Sequence, residues 1–165
     1  MGGKKVGFMS ETRHPMRWLL PLGAVLLCMG AVWLFSAQSG TLSSGLSRGV
    51  LGLIETELPG FYALLARWGR PEYLLRKLAH FSEYLILAAL IANVCAQWGI
   101  RGRRMVWIAV FASALYAGLD EWHQSFVGGR TPKLMDVGID SLGAFCGALL
   151  YVGLDRIWRH KRRER

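Results

Sequence analysis

Ionisable and hydrogen-bonding side chains interrupt three long apolar stretches of this 165-residue sequence. A charged group inside a hydrocarbon layer is costly, so it usually faces a bundle interior or water and pairs with another group. The residues in such positions are Arg76, Lys77, His80, Glu83 and Tyr84 in the first stretch, Asp120, Glu121 and Gln124 in the second, and Asp136 and Asp140 in the third. Arg130 lies between the second and third stretches. Together they offer the carboxylates, cations and imidazole that phosphate recognition, acid–base chemistry and cation binding require.

Helical spacing places each group on one face of its helix. At about 100° per residue, the group from Arg76 to Tyr84 falls within an arc of roughly 120°, and the acidic pair and glutamine of the second stretch share roughly 100°. Asp136 and Asp140 are one helical turn apart. If consecutive helices alternate in direction, the three groups meet at one end of the bundle and form a single polar layer.

A binding role is the first function that this layer predicts. Arg76, Lys77 and Arg130 would meet phosphates of a lipid headgroup, a cell-wall precursor or a lipoglycopeptide, with arginine forming bidentate hydrogen bonds. The carboxylates would orient these cations or meet cationic groups of the ligand. The ligand-binding residues are then Lys77, His80, Glu83, Tyr84, Asp120, Glu121, Gln124, Arg130, Asp136 and Asp140.

A membrane-embedded enzyme acting on a lipid-linked substrate is the second function. Histidine titrates near neutrality, so His80 would serve as a general base oriented by Glu83 or Asp120, and these three are the catalytic candidates. A divalent cation is a weaker alternative, because carboxylates suit magnesium, calcium or manganese. The acids that would hold it are Asp120, Glu121, Asp136 and Asp140. Since the sequence has no recognised metal-ligand or nucleophile motif, we favour a non-enzymatic role and predict no cofactor.

A purely structural role is the third function. The same side chains would form a buried hydrogen-bonded network that fixes how the helices pack. Gly143 and Gly147 continue the face that carries Asp136 and Asp140. Small residues four apart let helix backbones approach closely, so we predict tight packing at these glycines.

Membrane-spanning helices are the elements that must position these residues. The sequence is 53% hydrophobic, with a mean hydropathy of +0.29. A span needs roughly 20 mostly apolar residues. The stretches that meet this need are Trp18–Ala37, Tyr73–Trp98, Met105–Phe126 and Val137–Leu154. The sequence therefore predicts an all-α integral membrane protein with a bundle of about four transmembrane helices.

The segment between the first two spans has a different pattern. Apolar residues recur at helical spacing through residues 38–75, and Pro59 divides the segment. Neither half is long enough to span a bilayer. We predict amphipathic helices at the membrane interface, anchored by Phe61, Tyr62 and Trp68.

The net charge of +9 comes in short basic runs beside the apolar stretches. This pattern is typical of charges that hold helix ends in the cytoplasm and contact anionic lipid, and it argues against nucleic-acid binding. With the N-terminus inside, thirteen basic residues face the cytoplasm and seven face outward. We predict a multi-pass protein of the cell membrane, with residues 1–17 as a cytoplasmic segment, 18–154 as the transmembrane domain and 155–165 as a basic cytoplasmic tail.

The sequence resembles the VanZ-like family of membrane proteins in three segments. They are Phe35-Ser36-Ala37-Gln38-Ser39, the run from Lys77 to Tyr84, and the region from Tyr116 to Gly147 with its acidic pair, Gln124, Arg130 and Asp136. The resemblance covers most of residues 18–154, and the third segment is its most specific part. The departures are Asp140, where similar sequences often have asparagine, and Gly129, where proline is common before the arginine.

The resemblance implies a helical membrane domain that acts in the cell envelope. The family is named for a member associated with low-level resistance to the glycopeptide teicoplanin, so glycopeptide tolerance is one implied role. Most members have no established biochemical activity, and the resemblance therefore implies no particular reaction. The expected partners are membrane lipids and an envelope lipid or glycopeptide, not nucleic acid.

Overall fold

The computed structural model describes residues 18–131 and 133–164, and its regular structure in those ranges is entirely helical. The helices are α1 (Leu19–Ser36), α2 (Gly40–Glu57), α3 (Pro59–Ala66), α4 (Pro71–Gln97), α5 (Arg103–Gln124) and α6 (Leu134–Arg163). The segment 1–17, predicted to be cytoplasmic, lies outside the described residues. The all-α prediction is confirmed.

Three of these helices, α1, α4 and α6, are long and apolar enough to cross a membrane. Helix α5 corresponds to the predicted third span, but it is less apolar because Arg103 and Arg104 begin it and Asp120 and Glu121 lie near its end. Large apolar side chains are exposed along all four helices, which favours lipid as their surroundings. The chain is thus a helical membrane protein whose bundle contains four long helices.

Helices α2 and α3 occupy the segment that was predicted to be amphipathic. The Ser39 hydroxyl accepts a hydrogen bond from the Leu42 backbone N–H at 3.4 Å, which caps the start of α2. Pro59 begins α3 at a position where the missing N–H of proline removes no helical hydrogen bond. Helix α2 packs against α3 and α4, and it buries Leu51 while most of its other apolar side chains are exposed.

The closest helix packing joins α4 and α6. A Cβ added at Gly143 would overlap the carbonyl oxygen of Phe81, and one at Gly147 would overlap that of Leu85. Small side chains extend this contact: Ala88 and Ala92 of α4 and Ala144 and Ala148 of α6 are fully buried, in one cluster with Ala109 of α5. Small residues allow helix backbones to approach closely. The predicted packing role of the two glycines is confirmed.

The opposite end of the bundle carries a separate ion-pair cluster. Asp155 on α6 pairs with Arg159 at 2.8 Å and with Arg101 at 3.4 Å, which ties α6 to the link between α4 and α5. Both arginine side chains are more than 40% exposed, so each pair contributes little stability. Helix α6 continues to Arg163, so the basic segment after the predicted fourth span extends that helix.

Candidate functional site

The three polar groups meet at one end of the bundle, formed by the first turns of α4 and α6, the end of α5 and the α5–α6 loop; we call it the polar end. Lys77 of α4 and Asp136 of α6 form a hydrogen-bonded ion pair. One turn further along both helices, His80 Nδ1 lies 3.7 Å from the Asp140 Oδ1 atom. The prediction that these groups share one layer is confirmed.

Asp140 is the acid that faces His80. Its side chain is 1% exposed, and within the described residues neither of its oxygens has a hydrogen-bond partner. The orientation of His80 by Glu83 or Asp120 stays a prediction, and the structure adds Asp140 as an acid near the imidazole. The close contact of α6 with α4 places Asp140 opposite the histidine.

Arg130 connects α5 to the end of α1. Gln124 donates from Nε2 to Asp120 Oδ2 at 3.1 Å, and its Oε1 accepts from Arg130 Nη1 at 3.5 Å. Arg130 also donates from Nε to the Gln38 carbonyl at 3.2 Å and from Nη2 to the Phe35 carbonyl at 3.3 Å. Carbonyls at a helix C-terminus lack helical partners and favour a positive charge. Arg130 therefore stabilises the end of α1 while its guanidinium faces the site.

A close backbone contact positions the loop that carries Arg130. The Gly40 N–H donates to the Gly128 carbonyl at 3.2 Å, and a Cβ at Gly40 would overlap the Gly129 carbonyl. Gly129 has a φ of +76°, which glycine adopts readily and which the proline ring forbids. The departure from proline noted at this position therefore fits the turn that this chain forms.

A cavity of about 310 Å³ lies between α1, α2 and α4 at the polar end. Its apolar walls include Val32 and Phe35 from α1 and Leu46 and Val50 from α2. Its polar lining consists of Ser36, Gln38, Ser43, Ser47, Arg76, His80, Glu83, Asp120 and Arg130. The volume is at the lower end of the range of roughly 300–1,000 Å³ that is usual for ligand pockets.

Two buried polar residues of the lining are neighbours. Ser36 and Asp120 are 4% and 1% exposed, and the Ser36 hydroxyl lies close enough to hydrogen-bond with the Asp120 carboxylate. A carboxylate can accept more than the two hydrogen bonds that Ser36 and Gln124 offer. Asp120 therefore favours an occupant that supplies further hydrogen-bond donors.

The two guanidiniums of the lining influence each other. Burial lowers the pKa of the Arg130 guanidinium, and the positive charge of Arg76 lowers it further. The carboxylates of Asp120, Glu121 and Glu83 act in the opposite direction. An arginine stays protonated in proteins despite such shifts. Two positive charges in the lining of one cavity favour an anion between them.

The other predicted binding residues support the site without lining the cavity. The Glu121 Oε2 atom accepts a hydrogen bond from the Lys133 backbone N–H at 2.9 Å, which ties α5 to the start of α6. Tyr84 is fully buried, with its ring centroid 6.3 Å from that of Tyr116. The Tyr116 hydroxyl donates to the Met29 carbonyl at 2.7 Å and joins α5 to α1.

The acids named as cation ligands have different surroundings. Asp136 pairs with Lys77, Asp140 faces His80, and Glu121 accepts from a backbone N–H. Over residues 18–131 and 133–164, no three His, Cys, Asp or Glu side chains are grouped so that they could hold a metal ion. The divalent cation stays a prediction.

The contribution of α1 and α2 to the site was missed at the level of sequence. The Phe35 and Gln38 carbonyls hold Arg130, and Ser43 and Ser47 of α2 line the cavity. The available signal was the small and polar segment directly after an apolar span, because a helix end there leaves carbonyls that need donors. The serines of α2 gave no such signal, since they look like an ordinary polar helix face.

Comparison with known proteins identifies a family. A family model described as VanZ/LLP1 matches residues 22–158, which is most of the chain. Curated proteins and solved structures gave no match. The matched range includes every residue that lines the cavity. The chain belongs to the VanZ/LLP1 family.

Proposed function

We propose that this protein binds the headgroup of a phosphate-bearing amphiphile in the cavity at the polar end, as a binding protein of the cell envelope. The observation that carries the proposal is the presence of Arg76 and Arg130 in one cavity with apolar walls. Arginine recognises phosphate through charge-assisted, often bidentate, hydrogen bonds. Apolar walls beside such a site suit the hydrocarbon part of the same molecule.

Both guanidiniums have donors available for a ligand. A guanidinium has five N–H groups, and the three contacts of Arg130 with Gln38, Gln124 and Phe35 leave two of them free. Arg76 forms no ion pair or hydrogen bond with the residues that the structure describes. The phosphate would therefore not have to displace an existing ion pair.

The open side of the cavity supports entry from the membrane. Phe35, Leu46 and Val50 line the cavity and are also 55%, 50% and 46% exposed. Helix α1 packs on α4 and α5, whereas α2 packs on α3 and α4, so the cavity lies in the angle between α1 and α2. An acyl chain placed along these exposed side chains remains in contact with the bilayer while its headgroup occupies the polar lining.

The polar end lies, in this proposal, on the non-cytoplasmic side of the cell membrane, with both termini in the cytoplasm. The larger number of basic residues on the other side supports this orientation. The ligands that reach such a site are phospholipids, lipid-linked cell-wall precursors and lipoglycopeptides. Capture of a lipoglycopeptide would give tolerance of the teicoplanin type.

Native mass spectrometry of the detergent-purified full chain, titrated with phospholipids, tests the proposal. Arg76→Gln should weaken phospholipid binding by about tenfold or more, because it removes the charge-assisted hydrogen bonds to phosphate. Arg67→Gln removes an exposed arginine outside the cavity and is the matched control. Equal binding by the wild type and both variants would overturn the proposal.

The same preparation separates binding from the alternative of an enzyme. His80 lines the cavity, and its Nδ1 atom lies 3.7 Å from Asp140 Oδ1; a general base oriented by Asp140 requires this contact to shorten to hydrogen-bond distance when substrate binds. Incubation with a lipid pyrophosphate should release no phosphate if the protein only binds. Release that His80→Gln abolishes would replace the binding proposal with the enzymatic one.

A further inference from the structure

The cavity lining carries both signs of charge. Arg76 and Arg130 line it together with Glu83 and Asp120. A phosphate alone would satisfy the two guanidiniums but would stand beside two carboxylates, and like charges repel strongly where water is scarce. A ligand with a positive group close to its phosphate can meet all four side chains.

Asp120 indicates what that positive group must offer. Its Oδ2 atom accepts a hydrogen bond from Gln124, and the Ser36 hydroxyl lies close enough to donate to the same carboxylate. A carboxylate has about four acceptor sites, so it can still accept from a ligand. Glu83 is half-buried and forms no ion pair within residues 18–131 and 133–164. A primary ammonium has three N–H donors for such acceptors. A trimethylammonium group has none.

The order of the charges along α4 gives the direction of the ligand. Glu83 follows Arg76 by seven residues, which is about 10 Å along the helix axis toward the middle of the bundle. A phosphate at Arg76 therefore places a terminal positive group deeper, toward Glu83 and Asp120. A phosphodiester with a short, amine-ended arm has this polarity.

We propose that the occupant is an aminophospholipid, an inference that rests on the proposed lipid-binding function. Arg76 and Arg130 hold its phosphodiester. Glu83 and Asp120 accept hydrogen bonds from its primary ammonium. Its acyl chains leave the cavity along Phe35, Leu46 and Val50, which are exposed on the open side.

Three phospholipids with identical acyl chains test this inference by native mass spectrometry of the purified full chain. Phosphatidylethanolamine should bind about tenfold more tightly than phosphatidylcholine, which lacks N–H donors, and than phosphatidylglycerol, which lacks a cation. Glu83→Gln should remove most of this preference by weakening phosphatidylethanolamine selectively. Glu55→Gln, which neutralises an exposed acid of α2 outside the cavity, should retain it.

The outcomes distinguish this inference from the proposed function. Equal affinity for phosphatidylethanolamine and phosphatidylglycerol would overturn the aminophospholipid and leave phosphate binding in place. If Arg76→Gln weakened none of the three lipids, both proposals would fail together. Asp120→Asn replaces Glu83→Gln if the latter does not give helical, monodisperse protein. If neither variant folds, the affinities of the wild type for the three lipids decide whether the occupant is an aminophospholipid.

Discussion

At the scale of single residues, neighbouring charges at the polar end have different tasks. Lys77 pairs with Asp136 between α4 and α6, and these side chains are 15% and 11% exposed. Arg76 precedes Lys77 directly but lines the cavity. Because one residue turns a helix by about 100°, two adjacent cations face different neighbours. One stabilises the bundle and the other is available to a ligand.

Removal of Lys77 tests whether its pair with Asp136 is structural. Lys77→Met should lower the free energy of unfolding by about 3–5 kcal/mol, because it leaves a mostly buried carboxylate without its cation. Adding Asp136→Leu should recover most of the loss, since neither charge is then buried alone. Unfolding in mixed micelles, followed by circular dichroism, measures both effects.

Lys133→Met is the control for this pair. The Lys133 side chain is exposed, and its contact with Glu121 uses only the backbone N–H. It should change the unfolding free energy by no more than about 0.5 kcal/mol. A double variant at Lys77 and Asp136 that is no more stable than Lys77→Met alone would contradict the structural role of the pair.

The sequence could predict the residues of the polar layer but not all of their partners. Helical periodicity and alternating helix direction were enough to bring Lys77, His80, Asp120 and Asp136 to one end. The approach of Asp140 to His80 could not be predicted, because it depends on how α6 is rotated against α4. That rotation follows from tertiary packing, which no pattern within a single helix records.

At the scale of elements, the contact between α4 and α6 determines the depth of the site. Gly143 and Gly147 let the two backbones approach, and Asp140 and Asp136 lie about one and two turns before Gly143 on nearly the same face of α6. A wider separation would move both acids away from Lys77 and His80. The glycines therefore act on the charged residues through the helix spacing.

Gly147→Ala tests this spacing. The added methyl group would overlap the Leu85 carbonyl, so the helices must shift, and we expect a loss of about 1–3 kcal/mol in unfolding free energy. Gly153→Ala is the matched control, because it lies on the same helix with no atom within 4 Å of its Cβ. If the two variants were equally stable, close packing at Gly147 would not stabilise the bundle.

The helices themselves were largely predictable, and the cavity wall was not. The second span was predicted as Tyr73–Trp98, and α4 runs from Pro71 to Gln97, because apolar length and proline mark a spanning helix well. Helix α2 was predicted only as an interfacial helix. The position of α2 beside α1 and α4 depends on the turn at Gly40 and on the contact of Gly40 with Gly129. These two glycines are distant in sequence.

At the scale of the whole molecule, the two ends of the bundle differ in charge. The polar end combines buried acids with Lys77, Arg76 and Arg130. At the other end α6 continues through a basic segment, and Arg103 and Arg104 begin α5. A membrane with more anionic lipid on its cytoplasmic side attracts the basic end. This asymmetry favours a single orientation of the bundle.

Cysteine labelling tests that orientation in intact cells. In a background with Cys28, Cys95 and Cys146 replaced by alanine, Thr131→Cys reports on the polar end and Arg104→Cys on the basic end, because both positions are exposed. An impermeant maleimide should label the first variant in intact cells and the second only after permeabilisation. The reversed pattern would place the cavity at the cytoplasmic leaflet and restrict its ligands to lipids found there. Labelling of both positions from the same side would contradict a bundle that spans the membrane.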